Sequence, residues 1–250
     1  MSSHTYYEGP QSFSFSYGGR ITYAVQRLIL ANVLVFAAQL IWNVPLTGLL
    51  QPEYWLAFQP SFVVKGALWQ PVTYMFLHGG LSHLFFNMLM LFFFGPDVER
   101  LLSTRQFFRF FILCGLGGAA VEFLRWMVAG GDAKVMGASG ATLGVLAAFA
   151  VAFPRREIFL FPLPFPIYAW AVAALFFVLS LLATGPVAWA THLGGMVTAF
   201  GYMKLAPVLR TWIEAFSRNR TKRPKGKGMD ALGEAVDNIF RFDDEKRRRK

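Results

Sequence analysis

Six stretches of mostly apolar residues, each near the length a helix needs to cross a bilayer, limit what this 250-residue chain can fold into. They cover 21–43, 80–101, 106–128, 138–153, 163–183 and 187–209. Hydrocarbon offers backbone amides no water to bond, so a run of this kind forms a helix that satisfies its own hydrogen bonds. The predicted fold class is therefore an all-α membrane protein, a bundle of six transmembrane helices. Residues 1–20 form a short tail before it, 21–209 the membrane domain, and 210–250 a basic tail. Charged residues make up 15% of the chain, against about a quarter in soluble domains. The net charge of +10 does not imply a nucleic-acid partner, because 13 of the 24 Lys and Arg lie in 210–250, outside the apolar region.

The first twenty residues carry one Arg and no apolar core, so no secretory signal is expected, and the first run acts as its own insertion signal. Residues 43–71 are aromatic but broken by Pro45, Pro52 and Pro60. They suit a loop in the interface with Tyr54, Trp55 and Trp69 at headgroup level, and equally an ordinary extramembrane loop. Prolines and charges in "FGPDVER" (94–100), "FPRREIFLFPLPFP" (153–166) and "ATGPVA" (183–188) punctuate the gaps. Basic residues in short loops set orientation. Arg20, Arg100, Arg105, Arg155, Arg156 and Arg210 fall on one side, and Lys65, Arg125 and Lys134 on the other. Both termini are accordingly expected in the cytoplasm. The second, fourth and sixth runs then begin at the outer face.

That parity puts four polar residues at one level: His83 and Asn87 in the second run, Ser139 in the fourth and His192 in the sixth. His192 lies about 8 Å into its helix at 1.5 Å per residue. Polar groups within spans are costly and so mark function. A serine hydroxyl becomes a nucleophile when a base takes its proton, and histidine is the usual base. Gly137 and Gly140 allow close backbone approach around Ser139. "GATLG" (140–144) and "GMVTA" (195–199) carry small residues four apart, which lets membrane helices pack closely. His83 and Asn87, also four apart, share a helix face and could donate hydrogen bonds to an oxyanion. A plain packing role for all four residues is the competing reading. His78 is read as a structural residue anchoring the loop by hydrogen bonds. Glu122 and Arg125 are read as a salt bridge at spacing three. There is no H-E-x-x-H for zinc, no pair of membrane aspartates and no ligand spacing among the histidines, so neither a metal site nor an aspartyl mechanism is expected.

"WQPVTYMFLHGGLSHLFFNMLMLFFFGPDVER" (69–100), "GASG" (137–140) and "HLGG" (192–195) together resemble the rhomboid family of intramembrane serine proteases. The resemblance covers about residues 20–209 and implies a bacterial-type six-helix form in the plasma membrane. It implies Ser139 as nucleophile and His192 as base of a dyad. His83, Asn87 and the Ser139 backbone N–H would form the oxyanion hole. The implied partners are transmembrane protein substrates, cut in or near their membrane segments, and the lipid bilayer. The fifth run and "ATGPVA" would act as gate and cap. Members lacking the Ser or His bind membrane clients without cutting them; this chain has both. Three positions depart from the family pattern: Gln70 follows Trp69 where Arg is common, Leu143 stands where some members carry a Tyr that stacks on the base, and Ala199 replaces a glycine. In the tail, Met229, Leu232, Val236, Ile239 and Phe240 fall near one helical face, and "KRRRK" (246–250) could attract anionic lipid.

Overall fold

The computed structural model describes residues 21–43, 51–159, 164–183 and 189–205. The N-terminal tail, "ATGPVA" apart from Ala183, the end of the sixth run and the basic tail with its apolar face lie outside the described residues. The fold is almost wholly helical. Among the described residues, three helices are long and apolar enough to cross a membrane: α1 (Tyr23–Asn43), α5 (Leu81–Leu102) and α6 (Thr104–Ala129). Between α1 and α5 lie three short helices, α2 (Pro52–Leu56), α3 (Pro60–Val64) and α4 (Gln70–Thr73), and a 3-10 turn (Tyr74–Phe76). Two shorter apolar helices follow, α7 (Ser139–Ala152) and α8 (Ala169–Ala183). Among the described residues, helix α9 occupies 189–205.

Two boundaries differ from those expected. "FGPDVER" is not a gap, because Pro96 and Glu99 lie inside α5. The fifth run does not begin its helix at 163. Residues Glu157–Ile158 (β1) and Ile167–Tyr168 (β2) pair antiparallel, and α8 starts only after that hairpin. The prolines of 153–166 keep this stretch from continuing a helix.

α7 is the centre of the bundle. From Gly140 to Ala150 every residue is buried, so this helix, unlike α1, is apolar all round and meets protein on every side. α5, α6 and α8 pack directly on it. Glycine sets the approach of α9. A methyl group built on Gly195 would meet the Gly140 carbonyl oxygen, and one on Gly194 would meet the Gly117 carbonyl oxygen and lie 2.8 Å from the Gly118 Cα. Backbone therefore touches backbone where α6, α7 and α9 cross, as small residues permit in membranes.

α1 is held by a buried carboxylate. Glu99 accepts hydrogen bonds from the Ala24 and Val25 amides, both at 3.1 Å, and from the Thr104 hydroxyl at 2.7 Å. The first amides of a helix have no internal partner and carry the positive end of its dipole. One turn earlier, Gly95 leaves room for Val25. Glu99→Ala would strand three donors in a dry interior. It is expected to destabilise the protein by about 2–4 kcal/mol, seen as a lowered thermal transition in detergent, with Glu99→Gln intermediate.

Candidate active site

The segment between α1 and α5 positions the entry to α7 through main-chain bonds. Phe58 and Val135 form an antiparallel bridge with N–H to O distances of 2.9 and 2.8 Å. Two residues on, the Gly137 amide donates to the Tyr74 carbonyl at 2.9 Å. Asp132 accepts from the Ser61 amide and hydroxyl and from the Gln59 side chain. Partial burial would raise the Asp132 carboxyl, but these bonds and the nearby Lys65 charge hold it below the usual value. Gly137 has φ +127°, and a side chain there would lie 2.6 Å from the His83 ring. Both the backbone conformation and the close ring require glycine at this position.

Ser139 is the first residue of α7. Its hydroxyl lies 2.7 Å from Nε2 of His192 on α9. The first internal bond of α7 runs from the Thr142 amide to the Ala138 carbonyl, so the amides at 139–141 have no partner within the helix. Asn87, on α5, is buried. Its Nδ2 donates to the His83 carbonyl at 2.9 Å, and its Oδ1 accepts from the Thr142 hydroxyl at 3.0 Å. Thr142 also donates to the Ser139 carbonyl at 3.2 Å. These contacts fix which end of the Asn87 amide faces which way and leave its second N–H uncommitted. The four residues singled out from the sequence thus meet at one place: hydroxyl against imidazole, with the His83 ring and the Asn87 amide alongside the start of α7.

The rhomboid domain matches residues 65–207, more than half of the chain and all four of these positions. The chain belongs to the rhomboid family. It is 30% identical over 188 residues to the mitochondrial rhomboid protein 1 of Saccharomyces cerevisiae, covering 71% of this chain and 51% of that protein. To the human mitochondrial presenilin-associated rhomboid-like protein it is 27% identical over 219 residues, 82% of this chain and 55% of the relative. To the rhomboid protease GluP of Bacillus subtilis it is 30% identical over 145 residues, 58% of this chain and 27% of the relative. The chain spans about half the length of the yeast and human relatives. With its apolar helices, this rhomboid-family chain is a membrane protein.

One departure from the family pattern has a structural account. Gln70 is fully buried, donates to the Trp55 carbonyl at 3.2 Å and accepts from the Gln59 amide at 3.0 Å. Beside it, the Trp69 indole donates to the same carbonyl at 2.8 Å. A neutral amide therefore stitches the loop where an arginine is common. Around Leu143, which stands in place of a stacking tyrosine, the helices pack closely: the Thr191 carbonyl would lie 2.7 Å from a methyl group on Gly118 and 3.0 Å from one on Gly140. Nδ1 of His192 is buried without a hydrogen-bond partner.

His78 anchors the loop through its backbone. Its amide donates to Gln39 Oε1 at 3.0 Å and its carbonyl accepts from Gln39 Nε2 at 3.3 Å. Burial, with His83 nearby, lowers the His78 imidazole to about 4, so the ring is neutral. The expected Glu122–Arg125 pair is present, with two bonds of 2.7 and 2.8 Å. Sequence reasoning passed over Thr142. Its signal was its place one turn after Ser139, on the side of α7 that meets α5.

Proposed function

We propose that this chain is an intramembrane serine endopeptidase that cuts transmembrane protein substrates in or near their membrane segments. The contact that carries this reading is the 2.7 Å approach of Ser139 Oγ to His192 Nε2 within a rhomboid-family membrane bundle. Ser139 Oγ attacks the scissile carbonyl carbon while His192 Nε2 takes its proton. The resulting oxyanion receives hydrogen bonds from the free Asn87 Nδ2–H, the His83 ring and the amide at the start of α7, where the helix dipole also favours negative charge. The tetrahedral centre collapses, the C–N bond breaks, and His192 gives its proton to the departing amine. Water then attacks the acyl-enzyme with His192 again as base, and Ser139 is regenerated. The cycle calls on no cofactor.

The reading includes six spans, with α7, α8 and α9 joining the three long helices, and both termini in the cytoplasm, supported by the distribution of Arg and Lys. That arrangement opens the site to water at the outer face. The six-helix form favours a bacterial plasma membrane, although the yeast and human relatives carry mitochondrial names.

A fluorophosphonate probe, which acylates an activated serine, tests the reading directly. Covalent labelling at Ser139, mapped by mass spectrometry and lost in Ser139→Ala, is the expected result; a folded wild-type protein that resists the probe and leaves substrate intact would refute it. Asn87→Ala removes one oxyanion donor and should raise the barrier by about 2–4 kcal/mol. The loss should appear in kcat with KM little changed, and an unaltered kcat would remove Asn87 from the oxyanion hole.

A further inference from the structure

Away from Ser139, an apolar groove of about 380 Å³ opens sideways between α7, α8 and α9. Ala147 and Ala173 leave the hollow because they are small, and Trp170, Phe177, Met196 and Phe200 form its walls. The lining of α7 begins at Ala147, eight residues past Ser139, or about 12 Å along the helix axis. Leu193 also lines the groove, so successive residues of α9 face in different directions, His192 to Ser139 and Leu193 to the groove.

Lys204 stands at the groove's end remote from Ser139, one turn past Phe200, and Arg155 lies in the turn whose backbone bonds to the start of α8. Lys204 Nζ lies 5.9 Å from the centre of the Phe200 ring. The Pro154 and Arg156 carbonyls accept hydrogen bonds from the Trp170 and Ala169 amides at 3.4 and 2.9 Å, which keeps Arg155 close to Trp170. Arg156 is engaged by Asp97 at 2.8 Å. Among the described residues, neither Lys204 nor Arg155 has an acidic partner.

We propose that this groove binds an anionic phospholipid, with one acyl chain between α8 and α9 and the headgroup phosphate at Lys204 and Arg155. The lining offers hydrocarbon and almost no polar group, so it suits an alkyl chain rather than a peptide backbone. The volume is in the range of small-ligand sites, about 300–1,000 Å³. Basic residues where a bundle meets the headgroups attract anionic lipid, and here they sit at the end of an apolar slot, as the two parts of a phospholipid require.

The full chain in phosphatidylcholine nanodiscs, doped with a trace of phospholipid bearing a photoreactive group on its acyl chain, provides the test. Phosphatidylglycerol and phosphatidylcholine probes are compared at equal mole fraction and adducts mapped by mass spectrometry. Several-fold more phosphatidylglycerol adducts on the Trp170–Phe177 and Met196–Phe200 stretches are expected. Lys204→Gln with Arg155→Gln should reduce that excess to the phosphatidylcholine level, and Ala173→Trp, which fills the slot, should remove the adducts. Equal labelling by the two probes, adducts spread evenly over the lipid-facing helices, or a second copy of the chain crosslinked at the groove would each overturn the proposal. The Lys204 and Arg155 changes lie on the surface, so the test holds even if Ala173→Trp fails to fold. Its outcome is independent of whether Ser139 is catalytic.

Discussion

Reconstituted in vesicles with a single-span substrate, the Ser139→Ala protein is expected to lose cleavage by at least about 10⁴-fold, to background. Alanine removes the nucleophile while leaving α7 and its packing as they are. His192→Ala is expected to lose as much, since the hydroxyl then has no base at 2.7 Å to take its proton. Two groups that act as one unit give non-additive losses, so the double variant should be no slower than either single one. Rates of fragment release, with thermal transitions measured alongside to show that each variant is folded, decide the matter. Full activity in either single variant, or multiplied losses in the double, would break the dyad.

Gly195→Ala is expected to be nearly as damaging although it touches neither catalytic candidate. Its methyl group would collide with the Gly140 carbonyl oxygen and lie 3.0 Å from the Gly140 Cα. Both are backbone, so no side chain can swing aside and α9 must move off α7. His192 is three residues away on the helix that moves and Ser139 is next to Gly140, so the shift separates hydroxyl from imidazole. A misplacement of about 1 Å costs on the order of 10²-fold in rate, and overpacking costs about 1–3 kcal/mol of stability. Gly201→Ala is the control on the same helix, because a methyl group there meets nothing within 4 Å. It should leave cleavage unchanged and stability equal or slightly higher. A Gly195→Ala protein with wild-type rate would show that α9 can yield without opening the gap.

The long helices were legible because hydropathy alone specifies them: the expected 80–101 and 106–128 became Leu81–Leu102 and Thr104–Ala129. The meeting of Ser139 with His192 was also legible, since Gly140 and Gly195 in the sequence signal a close helix crossing. Short-range detail was harder. Pro52 and Pro60 read as interruptions, yet each falls in the first turn of a helix, where a missing amide costs nothing. Pro96 is tolerated inside α5. The β1–β2 hairpin has two residues per strand, too few for any alternation to register. Glu99 looked like one charge in a polar break; only the fold brings the start of α1 to its carboxylate. For Thr142, position one turn after Ser139 hints at a role, but its partner Asn87, 55 residues distant in sequence, is brought to it only by the fold.

The Phe58–Val135 bridge and the Gly137–Tyr74 bond are made by amides and carbonyls alone. Every amino acid except proline supplies the same donor and acceptor, so at Phe58, Tyr74 and Val135 these tethering bonds do not depend on which side chain the residue carries, although Gly137 must stay glycine. Substitutions can therefore accumulate on the outward face of residues 51–76, retuning how the protein meets its surroundings, while the hydroxyl stays in register.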